Sequence, residues 1–110
     1  MPKFAIFFNL APQAISRMMD NPSDRAAVVG EMLASQGGRL EAYYWMLGQW
    51  DGMVIADVPD TATAAAAALA VSSTGAFRSV ETHELFESGQ LNDLLQAASR
   101  ARGGYRAPGG

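Results

Sequence analysis

The amino-acid sequence predicts one α+β domain in which helices cover one face of a four-stranded antiparallel sheet. Three observations lead to this class. The 110 residues suit a single domain. With 49% of them hydrophobic and 17% charged, they supply a packed core and too little charge for a disordered chain. Their patterned segments follow the order β-α-β-β-α-β and end in one more helix, which is the ferredoxin-like arrangement.

The composition narrows the classes of function. The net charge is −3 and the eight basic residues form no clustered face, so we expect no nucleic-acid partner. There is no cysteine for a disulfide or a thiolate metal site. No apolar run approaches the roughly 18–20 residues of a membrane helix. We therefore expect no cofactor, no metal and no membrane partner. Because no signal peptide precedes the first strand, we also expect a cytoplasmic location.

Apolar periodicity places the individual elements. The predicted strands are residues 4–10, 39–47, 53–58 and 76–86. The predicted helices are residues 12–20, residues 22–36, residues 61–71 and a last helix that Ser88 caps. In the last helix, Leu91, Leu94, Leu95 and Ala98 share one face. These elements make residues 1–100 one domain, and the Gly-rich residues 101–110 are predicted to be a disordered tail.

Capping residues support the helix boundaries. Asn21 suits the N-cap of the second helix, with Pro22 in its first turn. Gly37 is free to take the left-handed conformation that ends this helix. Asp60 or Thr61 suits the N-cap of the alanine-rich helix that follows the third strand.

A short Gly-containing loop, Gly48-Gln49-Trp50-Asp51-Gly52, joins the second and third strands and predicts a β-hairpin. Asp51 is expected to accept hydrogen bonds from backbone amides of this loop. Trp50 is expected to fold over the sheet or to contact a neighbouring subunit. Gly48, Trp50 and Asp51 are therefore interpreted mainly as turn and packing residues.

Alternation along the strands predicts which side chains lie on the sheet face that the helices leave open. The direction of the first strand stays undecided. The expected set is Arg39, Glu41, Tyr43, Trp45, Leu47, Met53, Ile55, Asp57, Phe77, Ser79, Glu81 and His83. So many apolar side chains exceed what a monomer usually exposes. We therefore predict a homodimer or a higher homo-oligomer that covers this face.

The same face holds the candidate site residues. His83, the only histidine, lies two residues from Glu81 and is the candidate catalytic general base. Tyr43 and Trp45 are the candidate walls of a ligand site, to which Asp57, Glu81 and His83 add polar groups. Two alternatives stay open, because strand aromatics often serve packing alone and the charged groups can pair across an interface.

The sequence resembles the GYD-domain family of small bacterial and archaeal proteins. The resemblance covers about residues 3–97. It rests on the first strand with Asn9, on Gly37-Gly38-Arg39-Leu40, Tyr44-Trp45 and Gly48-Gln49-Trp50-Asp51, and on Val58-Pro59-Asp60 before the alanine-rich helix. Trp50 stands where the family usually has Tyr. The resemblance implies a ferredoxin-like, oligomeric protein and no settled activity.

Three hypotheses of function therefore remain. The first is an oligomer that binds a small apolar or aromatic ligand between its sheet faces. The second is an enzyme of the dimeric α/β-barrel type, a cofactor-free isomerase or monooxygenase. The third is a purely structural assembly unit, and the sequence alone does not decide whether the protein is an enzyme.

Overall fold

A computed structural model describes all 110 residues. Its four strands form one antiparallel sheet in the order β2-β3-β1-β4. The elements are β1 (Lys3–Leu10), α1 (Pro12–Asp20), α2 (Arg25–Ser35), β2 (Arg39–Trp45), β3 (Gly52–Asp57), α3 (Thr61–Ser72), β4 (Phe77–Leu85), a short 3-10 turn (Ser88–Gln90) and α4 (Leu91–Gly103). This architecture confirms the predicted ferredoxin-like α+β class, including its C-terminal helix.

The core lies between the sheet and the helices. Phe4, Phe8 and Leu10 point toward the helices from β1, the central strand flanked by β3 and β4. The alternate residues of β3, Val54 and Ala56, join them. Because successive strand residues point to opposite faces, this buried set also determines which residues of β1 lie on the open face.

The helix caps agree with the sequence prediction at two helix ends and differ from it at two others. Gly37 has φ 78°, the left-handed conformation expected after α2. The Asp60 carboxylate accepts from the Thr63 amide at 2.8 Å and caps α3 as predicted. The prediction for the start of α2 was wrong, because Asn21 ends α1 and Asp24 caps α2 by accepting from the Ala27 amide.

The second difference concerns the last helix. Glu87, rather than Ser88, occupies the cap position, and Gln90 completes a capping box with it. Helix α4 then continues to Gly103, three residues into the segment predicted as a tail. Every residue of α4 is exposed, so this helix projects from the domain and gives the molecule a longest dimension of 59 Å. No helix in the structure has the length and apolar character needed to cross a bilayer.

Two irregularities in strand pairing change which face several side chains occupy. In β2 the register shifts between Leu40 and Ala42, so that Tyr43 pairs with Val54. In β4 the register shifts so that Phe77 pairs with Leu10. Each bulge adds one residue and reverses the alternation beyond it.

The first bulge corrects the predicted face of Tyr43 and Trp45. Both were expected on the open face, but Tyr43 packs against the core and Trp45 pairs with Gly52. The rings of Tyr43 and Trp45 lie 5.8 and 5.7 Å from the ring of Phe8 on the helix-covered side. The second bulge likewise moves Phe77 from its expected place on the open face to the helix-covered side.

Candidate functional site

The sheet face opposite α2 and α3, called here the open face, is assembled from all four strands. Its strand residues are Lys3, Ala5, Phe7, Asn9, Arg39, Glu41, Ala42, Tyr44, Met53, Ile55, Asp57, Ser79, Glu81, His83 and Leu85. The five residues with carboxylate, guanidinium or imidazole side chains that were predicted for this face are all on it. Tyr44 takes the position expected for Tyr43, because the bulge in β2 precedes both.

A compact ion-pair network occupies one end of the open face. The Asp57 carboxylate accepts from Lys3 Nζ at 3.0 Å and from Arg39 Nη2 at 3.1 Å. Lys3 also pairs with Glu41. The hydrogen bond from Lys3, followed by that from Arg39, holds the pKa of Asp57 below its usual range. The hydrogen bonds to Glu41 and then Asp57 raise the pKa of Lys3. These charges are paired within one chain.

His83 and Glu81 form a second polar pair farther along the open face. Glu81 Oε2 lies 2.7 Å from His83 Nε2, and both side chains are about half exposed, at 53% and 51%. If Nε2 carries a proton for this bond, Nδ1 is left as the basic atom of the neutral ring. The pair therefore has the geometry of an imidazole oriented by a carboxylate, and solvent reaches both groups.

Aromatic and aliphatic side chains lie beside that pair on the open face. The Phe7 ring meets the His83 ring edge to face, with centroids 5.8 Å apart. The Trp50 ring lies 5.9 Å from Phe7, which places Trp50 over the sheet, one of the two outcomes expected for it. Ile55 and Met53 are only partly buried beside Phe7. This cluster is an apolar surface with one imidazole at its border.

The hairpin loop is held by β1 as well as by its own backbone, in which the Met46 amide donates to the Asp51 carbonyl at 2.8 Å. Asp51 Oδ2 accepts from the Leu10 amide at 2.8 Å. The Asp51 amide in turn donates to the Phe8 carbonyl and to Asn9 Oδ1. The carboxylate thus binds a backbone amide, as predicted, but one from β1. Gly48, with φ 109°, allows the reversal that brings Asp51 there.

Asn9 has a structural role. In the sequence it stood out only as part of the resemblance to the GYD-domain family. It is buried, and its side chain connects the Asp51 amide to Ser79 Oγ, at 3.0 and 3.2 Å. An Asn near the end of an otherwise apolar strand was the available signal, since a buried amide needs partners. Its partners come from two distant segments, and the sequence did not identify them.

The sheet separates two groups of predicted site residues. Asp57, Glu81 and His83 lie on the open face, whereas Tyr43 and Trp45 lie on the helix-covered side. One ligand within a single chain cannot contact both groups through a packed sheet. Tyr43 is half-buried, and burial raises the pKa of its phenol, so the hydroxyl stays protonated at neutral pH.

The hairpin and its anchoring to β1 coincide with the residues that suggested a family. A family model described as GYD domain matches residues 4–95. The chain belongs to the GYD-domain family. The matched region contains the sheet from Phe4 onward and all the candidate residues of this GYD domain, and it ends within α4. No curated protein and no solved structure matched the chain.

Proposed function

We propose that this GYD-domain protein is a homo-oligomer that pairs its open faces and holds a small apolar or aromatic molecule between them. One observation carries the proposal, namely the cluster of Phe7, Trp50, Met53 and Ile55 beside the accessible Glu81–His83 pair. An apolar pocket with a few convergent polar groups is the usual form of a small-molecule site. Asp57, Glu81 and His83 keep their proposed binding roles, and Tyr44 and Trp50 replace Tyr43 and Trp45 as the aromatic walls.

Self-association is supported by the same surface. Tyr44 is 58% exposed next to Met53, its partner in the neighbouring strand. A second open face would remove these side chains from water, and burial of apolar area favours association. The ion pairs of Asp57 already form within one chain, so they do not oppose burial as unpaired charges would.

Light scattering at low micromolar concentration tests the oligomer. The wild-type protein is expected at twice the 11.7 kDa chain mass or more. Ile55→Glu, which places a charge in the middle of the open face, is expected to yield monomers. Leu69→Glu is the matched control, since Leu69 is 72% exposed on α3, and it should keep the wild-type mass. A stable wild-type monomer would contradict the proposal.

The single histidine reports on the proposed ligand site. Indole, an aromatic probe with one N–H, is expected to shift the His83 imidazole proton resonances of the wild-type protein. The monomeric Ile55→Glu variant is expected to lose this shift, because half of the site is absent. An equal shift in both proteins would place the ligand on one chain alone, and no shift in either would remove the ligand from the proposal.

The second candidate function is an enzyme, which the 2.7 Å contact between His83 and Glu81 favours. His83 would take a proton from an acidic C–H group, leave the electron pair on the substrate as an enolate, and return the proton to another carbon, which is an isomerisation. A bound ketone such as 1-indanone should then exchange its α-hydrogens with D₂O faster than in buffer. His83→Gln should abolish the acceleration, and equal rates in buffer and protein would exclude this role for 1-indanone-like substrates.

A further inference from the structure

A cavity of about 80 Å³ lies on the other side of the sheet, beneath α2 and α3. Its floor is the helix-covered face of the sheet, and its walls include Val29 from α2 and Val71 from α3. We propose that this cavity is a second binding site, which takes a small uncharged apolar molecule. The site lies within a single chain and does not depend on the open face.

The size of the cavity is unusual for a protein interior. Interiors are close-packed, and few voids exceed the size of a water molecule. A water needs roughly 10–15 Å³ measured in the same way, so this cavity has several times the necessary room. The cavity is partly open to solvent, which provides a route of entry.

The alanine run of α3 explains why the space exists. Ala64, Ala67 and Ala68 are the α3 residues that line the cavity together with Val71. Each alanine carries one side-chain carbon, so the helix backbone stands over the sheet with little between them. Ala65 and Ala66 are exposed on the opposite side of the same helix. The cavity is therefore left unfilled because the α3 side chains that face the sheet are mostly alanines.

The chemistry of the lining defines the ligand. Sixteen of the 17 lining residues are hydrophobic, and none is charged. No buried side-chain polar atom lacks a hydrogen-bond partner, so no unpaired buried group calls for water or for a polar ligand. Genuinely apolar cavities stay dry, and larger ones take up apolar molecules such as benzene. An uncharged hydrocarbon-like molecule fits, whereas a charged one would lose its hydration without compensation.

Two hydroxyl groups can refine the specificity. Thr82 is the one residue outside the hydrophobic set, and Tyr43 adds a phenol to the lining. Because the Tyr43 hydroxyl is protonated at neutral pH, it can donate one hydrogen bond to a carbonyl of the ligand. This gives Tyr43 a binding role on the helix-covered side in place of its predicted role on the open face.

A second protein chain does not suit the cavity as an occupant. The unpartnered helix α4 is the segment most available for such a contact, but a helix with its side chains is about 10–12 Å across. That width exceeds what a cavity of about 80 Å³ accepts. Only a single protruding side chain would enter, and such insertion would depend on protein concentration. A small molecule is therefore the occupant proposed.

Nuclear magnetic resonance of the wild-type protein with benzene provides the first test. The methyl resonances of Val29 and Val71 are expected to shift in a saturable way. The Leu94 methyl groups on α4, which lie outside both the cavity and the open face, are expected not to shift. The absence of any shift at Val29 and Val71 would overturn the proposal. So would shifts at these methyls that follow protein concentration without benzene, because a second chain would then be the occupant.

Two pairs of variants provide the second test. Ala68→Leu fills the cavity and is expected to reduce benzene affinity at least tenfold, while Ala65→Leu makes the same change on the exposed side and keeps wild-type affinity. Tyr43→Phe is expected to weaken acetophenone, which has a carbonyl, about two- to tenfold and to leave benzene unchanged. Equal binding by Ala68→Leu and Ala65→Leu would overturn the proposal. Should Ala68→Leu fail to fold, the wild-type methyl shifts still decide it.

Discussion

Asp51 connects two parts of the chain that are 41 residues apart. Its carboxylate is the acceptor for the Leu10 amide, and its own amide donates to β1. The family signature around the hairpin loop is thus explained by structure: Gly48 permits the turn, Asp51 anchors it, and Trp50 covers Phe7. None of these contacts requires a ligand.

Replacing Asp51 with Ala tests this anchoring. The Leu10 amide would lose its partner in a partly buried place, which costs about 1–3 kcal/mol. We expect the free energy of unfolding in urea to fall by that amount. Asp20→Ala removes an exposed carboxylate at the end of α1 and should change it by less than about 0.5 kcal/mol. A loss no greater in Asp51→Ala than in Asp20→Ala would show that Asp51 does not anchor the loop.

The ion pairs of Asp57 with Lys3 and Arg39 make the free energy of unfolding depend on pH. Lys3 and Arg39 hold the pKa of Asp57 below the value in an unfolded chain. The unfolded state therefore binds a proton first, and the contribution of Asp57 is present above about pH 4 and is lost as the pH falls below it. We expect Asp57→Asn to be less stable than the wild type at pH 7 and to approach it near pH 2.

Urea unfolding at several pH values measures this difference. Asp20→Asn is the control, because the exposed Asp20 is outside the network. A stability difference between Asp57→Asn and the wild type that stays constant from pH 7 to pH 2 would contradict the role of the two cations.

At the scale of elements, the two β-bulges decide the chemistry of each sheet face. The predicted alternation was interrupted near Glu41 and near Arg78, and every side chain of β2 after the bulge changed face. A signal was present in the sequence. The core-facing residues are three apart at Leu40 and Tyr43 and again at Phe77 and Val80, whereas an unbroken strand spaces them by two. Two core-facing apolar residues that lie three positions apart within a predicted strand thus indicate a bulge.

Helix α4 has an apolar face with nothing packed on it in a single chain. Leu91, Leu94 and Leu95 are each more than 40% exposed. An isolated helix of 13 residues is marginal in water, because tertiary packing usually supplies most of its stability. We expect the backbone amides of α4 to exchange with D₂O far faster than those of β1, as hydrogen exchange followed by mass spectrometry will measure. Protection of α4 equal to that of β1 would mean that another chain covers it.

At the scale of the molecule, a small core makes association important. Ten hydrophobic residues of 110 are buried, and a domain of this length buries a modest share of its surface. If open faces pair, folding and association are linked, and the melting temperature should rise with protein concentration. Calorimetry should show this rise for the wild type and for Leu69→Glu, and no rise for Ile55→Glu. A concentration-independent melting temperature for the wild type would contradict the linkage.

Local sequence patterns predicted the order of elements, the hairpin, the left-handed Gly37, the Asp60 cap and hence the fold class. These features depend on neighbours along the chain, where propensity and periodicity act. The placement of Asp57, Glu81 and His83 on the open face also followed from local alternation, since no bulge separates each of them from the core residues of its own strand.

Local patterns did not predict the faces of Tyr43 and Trp45, the anchoring of Asp51 by β1, or the cavity beneath α2 and α3. A bulge is an outcome of pairing, because the partner strand decides where an extra residue is accommodated. The cavity likewise depends on the distance at which α3 stands from the sheet. Those quantities belong to contacts between distant segments, which a linear pattern of residues does not contain.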